Sequence, residues 1–199
     1  MREKLIKALS NHVHERAIPY LLEVWEKEPF SLSITPPQKS SFGYYRYHPH
    51  QGALIRLNHN LSPSHFLMTF LHEVAHHRVQ LSQLQRKKRF APHGKEWKQT
   101  FQQLMEPVLR PPFFPDYILP ILIKHMQNPA ATSSRDARLS QAFRQEKGES
   151  SSVLGEYPTG HLFEFRGRHF RLLQHNRTRA LCEDLSNHQK YWISRSIPI

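Results

Sequence analysis

The sequence predicts an α+β fold: helices with a small antiparallel sheet, followed by a small C-terminal β-module. Three observations predict it. Apolar residues recur at helical spacing over residues 2–27, and again, densely, over 63–83. Between these stretches the period switches to two. The last forty or so residues break into four short runs of strand formers separated by Gly, Asn and Ser. The chain divides into a domain at 1–131, a polar, Ser-rich linker at 132–157 and a β-module at 158–199.

The elements follow in order. Leu5, Ile6, Leu9, Val13, Ala17, Leu21, Leu22 and Trp25 give the first helix its apolar face, and Pro19 predicts a kink or a break into two. Phe30, Leu32 and Ile34 alternate ahead of Pro36-Pro37. Phe42 to Tyr47 is rich in strand formers, residues 48–52 (HPHQG) form a turn, and Ala53 to Leu57 is a second strand. The result is a hairpin that residues 30–35 extend to three strands. Ser62 is suited to cap the next helix and Pro63 to its first position. That helix runs to about Gln83 and is apolar enough to be buried. A basic run, Arg86-Lys87-Lys88-Arg89, connects it to a helix that starts near His93 and carries Trp97, Phe101 and Leu104 on one face. Glu106-Pro107 ends that helix, and Asp116 is suited to cap the short one that follows. The linker holds a short helical segment around Arg138–Arg144. Residues 161–165, 169–173, 178–182 and 191–193 are the four strands of the module.

Composition sets bounds on this picture. Hydrophobic residues make up 38% and aromatic residues 11%, enough for a packed core and too much for a disordered chain. The single cysteine, Cys182, rules out both a disulfide framework within the chain and a four-cysteine zinc ribbon. No stretch approaches the ~18 consecutive apolar residues of a membrane span, and the N-terminus lacks the apolar segment of a signal peptide. A soluble, cytoplasmic protein is expected. The formal charge of +12 favours polyanionic partners, nucleic acid first among them.

The chemistry centres on His72-Glu73-Val74-Ala75-His76. Histidines four apart on a helix share one face, so both imidazoles reach one Zn²⁺, and Glu73 beside them can take a proton from water at the metal. A chain with 15 histidines can show this pattern by accident, so its context matters. The context is a helix otherwise apolar, where three ionisable groups need a shared partner. A histidine at the start of the next helix, His93, completes a tetrahedral site of His72, His76, His93 and water; Glu96 is the alternative third ligand. Tyr44, Tyr45, Arg46 and Tyr47 on the hairpin are candidates, by residue type, to stabilise an oxyanion. His12, His14, His48 and His50 read as surface or loop residues.

Taken together, YYRYHPHQGALIRLN, LSPSHFLMTFLHEVAHH, PHGKEW and FPDYILPILIKHMQNPAA resemble the SprT-like family of zinc metalloproteases, whose eukaryotic relatives include Spartan. The resemblance covers about residues 1–131. It implies a gluzincin-like or minimal zincin fold, one Zn²⁺ held by His72, His76 and His93, Glu73 as general base, and peptide-bond hydrolysis on DNA-associated proteins. Many members carry a four-cysteine ribbon at the C-terminus, which this chain cannot form. Two expectations therefore stand: a zinc metalloendopeptidase acting on a protein or peptide, and a nucleic-acid-binding protein whose zinc site is only structural. The +12 charge, the basic run and the arginines of the module, where seven Lys/Arg oppose three Asp/Glu from Pro158 onward, favour the second. The aromatic residues of the module read mostly as its own core.

Overall fold

The computed structural model describes residues 2–38, 41–132, 136–149, 152–197 and 199. The chain forms two compact units, Met1–Gly148 and Glu149–Ile199. The first contains α1 (Arg2–Ser10), α2 (Ile18–Lys27), β1 (Ser31–Thr35), β2 (Gly43–His48), β3 (Gly52–Asn58), α3 (Pro63–Arg86), α4 (Lys95–Met105), α5 (Leu119–Met126) and α6 (Ala137–Glu146). The second contains β4 (Leu162–Phe165), β5 (Arg168–His175), β6 (Arg179–Asp184) and β7 (Lys190–Ser194). The α+β class is as the sequence predicts.

The first helical stretch is broken by a turn after Ser10, ahead of Pro19. Pro19 lies in the first turn of α2, where the missing N–H forfeits no helical bond. The sheet has the order β1-β3-β2. β2 and β3 form the expected antiparallel hairpin, but β1 joins β3 in parallel, so the sheet is mixed rather than antiparallel. β1 and β2 flank β3 on opposite sides, and no hairpin links β1 directly to β3, so its direction is not set by a tight turn. Ala53, Ile55 and Leu57 face inward and are buried, while Arg56 faces solvent, the alternation of a sheet with one wet face.

The central helix α3 packs against this sheet and against α4, burying Phe66, Leu67, Phe70, Leu71, Val74 and Ala75 in the common core. Its start differs in detail from the sequence reading. Ser62 has extended backbone angles and precedes Pro63, but its side chain makes no capping bond. The open backbone N–H of Ser64 instead donates to Glu146 of α6 at 3.1 Å, and the Ser64 hydroxyl donates to the same carboxylate at 2.6 Å. A carboxylate at a helix N-terminus satisfies a free donor and complements the helix dipole. The start of α5 also differs. Ile118 stands at its N-cap, and the N–H groups of Ile118 and Leu119 donate to the carbonyl of Pro115, so Asp116 does not cap it.

The domain boundary moves as well. Helix α6 lies within the expected linker yet buries Leu139, Ala142 and Phe143 in the core of the first unit. That places the division after Gly148 rather than after 131. The helix offers only this one short apolar group, amid polar residues, and a sequence reading cannot separate it from linker. Residues 133–135 and 150–151 of the expected linker lie outside the described residues.

The second unit is an antiparallel meander in the order β4-β5-β6-β7. It closes over Leu154, Phe163, Phe170, Leu172, Ala180, Cys182 and Ile193. Leu154 precedes the strands, and its N–H donates to the Ile197 carbonyl, so the module begins before residue 158. Phe163 and Phe170 are core residues as expected, whereas Trp192 is half exposed. Cys182 is a free thiol, pushed up to about 11 by burial. Asp184 is fully buried and bonded by Arg168 and by Ser186. No helix among the described residues is long and apolar enough to cross a membrane.

Candidate metal centre

The helical period places His72 and His76 one above the other on α3, on the face that meets α4. Trp97 of α4 is fully buried beneath them, its ring 4.6 Å from that of His72 and 5.5 Å from that of His76. His93 arrives from the connection ahead of α4 with φ of 54°, a left-handed conformation uncommon outside glycine, and rests 4.7 Å from the same indole. The three imidazoles converge. His76 Nε2 lies 3.2 Å from His72 Nε2 and 2.9 Å from His93 Nε2, and all ligand atoms of the trio fall within 4.8 Å of one another. Zn–N bonds of 2.0–2.1 Å in a tetrahedron put neighbouring nitrogens about 3.3 Å apart, so the trio fits a zinc ion. Three nitrogen lone pairs converging this closely repel one another unless a cation or shared protons lie between them. Glu96 is outside this group.

Burial sets the charge states. It drives His72 well below its ordinary value, with His76, His93 and His125 adding to the effect, and it lowers His76 to about 4, with His93 adding. Both are therefore neutral near pH 7, the form that binds metal. Glu73 is buried, and its carboxyl is pushed up to about 8 by desolvation. A cation next to it acts in the opposite direction.

Glu73 faces β2 rather than α4. The contact there is close: a Cβ on Gly43 would stand 2.7 Å from Glu73 Oε1 and 2.8 Å from Thr69 Cγ2. Glycine is what lets the strand lie this near the helix. Sequence reasoning missed Gly43, although a glycine opening a strand was the available signal. Gly43→Ala is expected to displace the Glu73 carboxylate while leaving the imidazoles in place. Zinc affinity should stay unchanged by titration, while any activity that needs the Glu73 carboxylate should fall about a hundredfold, as a displacement of about 1 Å can cost.

A cavity of about 340 Å³ opens over these groups, lined by His72, Glu73, His76 and His93 together with Phe42 to Tyr45, Met68, Thr69, Ala131 and Thr132. Tyr44 and Tyr45 are among its lining residues, and Arg46 and Tyr47 are not. The Tyr45 hydroxyl is 3.2 Å from His77 Nδ1, and His77 is buried against Phe30. β2 is the edge strand along the cavity. Phe42 gives its carbonyl to Asn58 N–H, so the alternation of an antiparallel ladder turns the N–H and C=O of Gly43 and Tyr45 outward.

The SprT-like family profile matches residues 3–117, which holds all three histidines, Glu73 and the edge strand. The chain belongs to the SprT-like family. Neither a search of curated proteins nor one of solved structures finds a match. SprT-like membership carries a metalloprotease-type function, typically zinc-dependent, and the trio of this chain could hold the metal. The match ends before α5 and α6, so nothing in it describes those helices or the β-module.

A further consequence concerns His65, one of the buried histidines of α3 outside the trio. Burial, with Lys147 adding, lowers it to about 4. Between pH 6.5 and 4 the unfolded chain binds a proton there and the folded chain does not, so stability falls as pH falls through that window, by roughly 3 kcal/mol from this group. Denaturant unfolding of the zinc-free protein at pH 7 and pH 4.5 should show the loss, and His65→Asn should reduce it.

Proposed function

We propose that the protein is a zinc-dependent endopeptidase in which His72, His76 and His93 hold the metal and Glu73 is the general base. One observation carries the reading: the three imidazole nitrogens converge in the wall of a cavity that also presents a buried carboxylate and an open strand edge. The contribution of the metal, when bound, is Lewis acidity, which makes water easier to deprotonate and a peptide carbonyl easier to attack. The remaining work falls to the chain. An extended peptide pairs with the outward N–H and C=O of Gly43 and Tyr45, which holds its backbone along the cavity. Glu73 accepts the proton of the attacking water and delivers it to the leaving amine. Of the four hairpin candidates for stabilising the developing oxyanion, Tyr44 and Tyr45 line the cavity, and the Tyr45 hydroxyl is already engaged by His77.

The substrates in this reading are DNA-associated proteins, and the site of action is the cytoplasm, consistent with a chain whose one thiol is free. A second reading, a nucleic-acid-binding protein with a structural zinc site and no hydrolysis, draws on the +12 charge and on the exposed Arg86 to Arg89 ahead of His93. Metal analysis coupled to a protein-cleavage assay, with and without single-stranded DNA, separates the two. Cleavage that depends on zinc supports the peptidase. Salt-dependent DNA affinity with no cleavage under either condition supports the second reading.

A further inference from the structure

Helix α6 lies beyond the segment matched by the family profile, yet two routes connect it and its N-cap to the cavity lining through intermediate residues. The first route runs through aromatic rings. Phe143 stacks on His65 of α3 with centroids 4.4 Å apart and planes within 10°. His65 also meets Phe42, edge-on at 4.4 Å, and Phe42 lines the cavity just ahead of Gly43. The second route runs through a part-buried polar pair. Asp136, the N-cap of α6, accepts from Leu139 N–H with one oxygen, and its other oxygen meets His125 Nδ1 at 3.1 Å. His125 is buried at the end of α5. Ala131 and Thr132, which lie in the chain between His125 and Asp136, line another part of the cavity. At its far end α6 supplies Glu146 to the first turn of α3.

We propose that α6 is a positioning element of the cavity: through Phe143, His65 and Phe42, and through Asp136 and His125, it fixes two separate lining segments over the metal centre. The metal ligands come from α3 and from the connection ahead of α4, and none of them is a member of either route. Substrate placement does. A ring stack and a part-buried bond to a helix cap are short, directional contacts, and each holds its segment in one place where apolar burial alone would allow several. His65 stays neutral near pH 7 because of its burial, so the stack persists across the physiological range. The inference rests on the cavity being where a peptide binds, and its test includes a readout that does not.

The test uses the full chain with zinc. Phe143→Leu keeps apolar bulk but loses the flat stack. Asp136→Ala removes both cap and partner, and Asp136→Asn keeps a cap and an acceptor. Hydrogen exchange of peptides covering residues 41–45 and 130–132 is followed, together with zinc affinity and the kinetics of dye-labelled casein cleavage. Phe143→Leu is expected to raise exchange at 41–45, and Asp136→Ala at 130–132, each with zinc affinity unchanged. KM should rise roughly two- to tenfold, with kcat nearly constant. Asp136→Asn should restore wild-type exchange. Exchange that rises evenly across the first unit, or that stays at wild-type rates in both segments, overturns the proposal. If the wild type cleaves no casein, the endopeptidase reading is the one in question, and the exchange data still decide the role of α6.

Discussion

Glu73→Gln is expected to bind one zinc per chain, as the wild type does, and to hydrolyse protein roughly two to four orders of magnitude more slowly, the range a general base contributes. The two side chains have nearly the same shape. Glutamine therefore fits the narrow space beside Gly43 and Thr69 that the carboxylate occupies. It cannot accept a proton from water. Burial, which disfavours the charged carboxylate and pushes it up to about 8, is no burden to a neutral amide, so the zinc-free variant should be at least as stable as the wild type. Zinc content by mass spectrometry and initial cleavage rates check this together. Cleavage within tenfold of wild type would mean that another group is the base. Loss of zinc would mean that Glu73 supports the metal rather than the proton transfer.

Removal of His93 should act in the opposite sense, on the metal first. At free zinc about 1,000-fold above its Kd, binding stabilises a protein by about 4 kcal/mol. His93→Ala should forfeit most of that stabilisation and weaken zinc binding by more than about a hundredfold, since loss of even a supporting group outside the ligand set costs 10–100-fold. Glu96→Ala should leave both quantities unchanged, because Glu96 lies outside the converging trio. Competition with a chromogenic chelator gives the affinities, and melting with and without zinc gives the stabilisation. Equal losses in the two variants would refute the assignment of the third ligand.

The candidate site was more legible in the sequence than its surroundings, for a physical reason. His72, Glu73 and His76 are linked by the helical period, a local rule that needs no tertiary knowledge. His93 could be anticipated because a short connection returns the chain to the same face. What the sequence withheld was long-range. Ser62 and Asp116 are good capping residues by type, but the donor at the start of α3 is satisfied by Glu146, 82 residues away from Ser64, and α5 begins without Asp116. Helix α6 reads as linker because its burial comes from one short cluster set amid polar residues. Neither the lateral position of β1 nor its direction is encoded by alternating hydrophobicity, so its parallel pairing with β3 was out of reach. Gly43 carries no side chain to attract notice, and its role appears only when the helix beneath it is in place.

The β-module provides a last consequence. Its core is built from aliphatic and aromatic side chains with a lone buried thiol, and among the described residues the only group able to hold a metal lies in the other unit. A chelator therefore removes support from one folding unit and nothing from the other. Each molecule thus carries an internal reference against which binding or loss of a metal at the His72, His76 and His93 trio can be read.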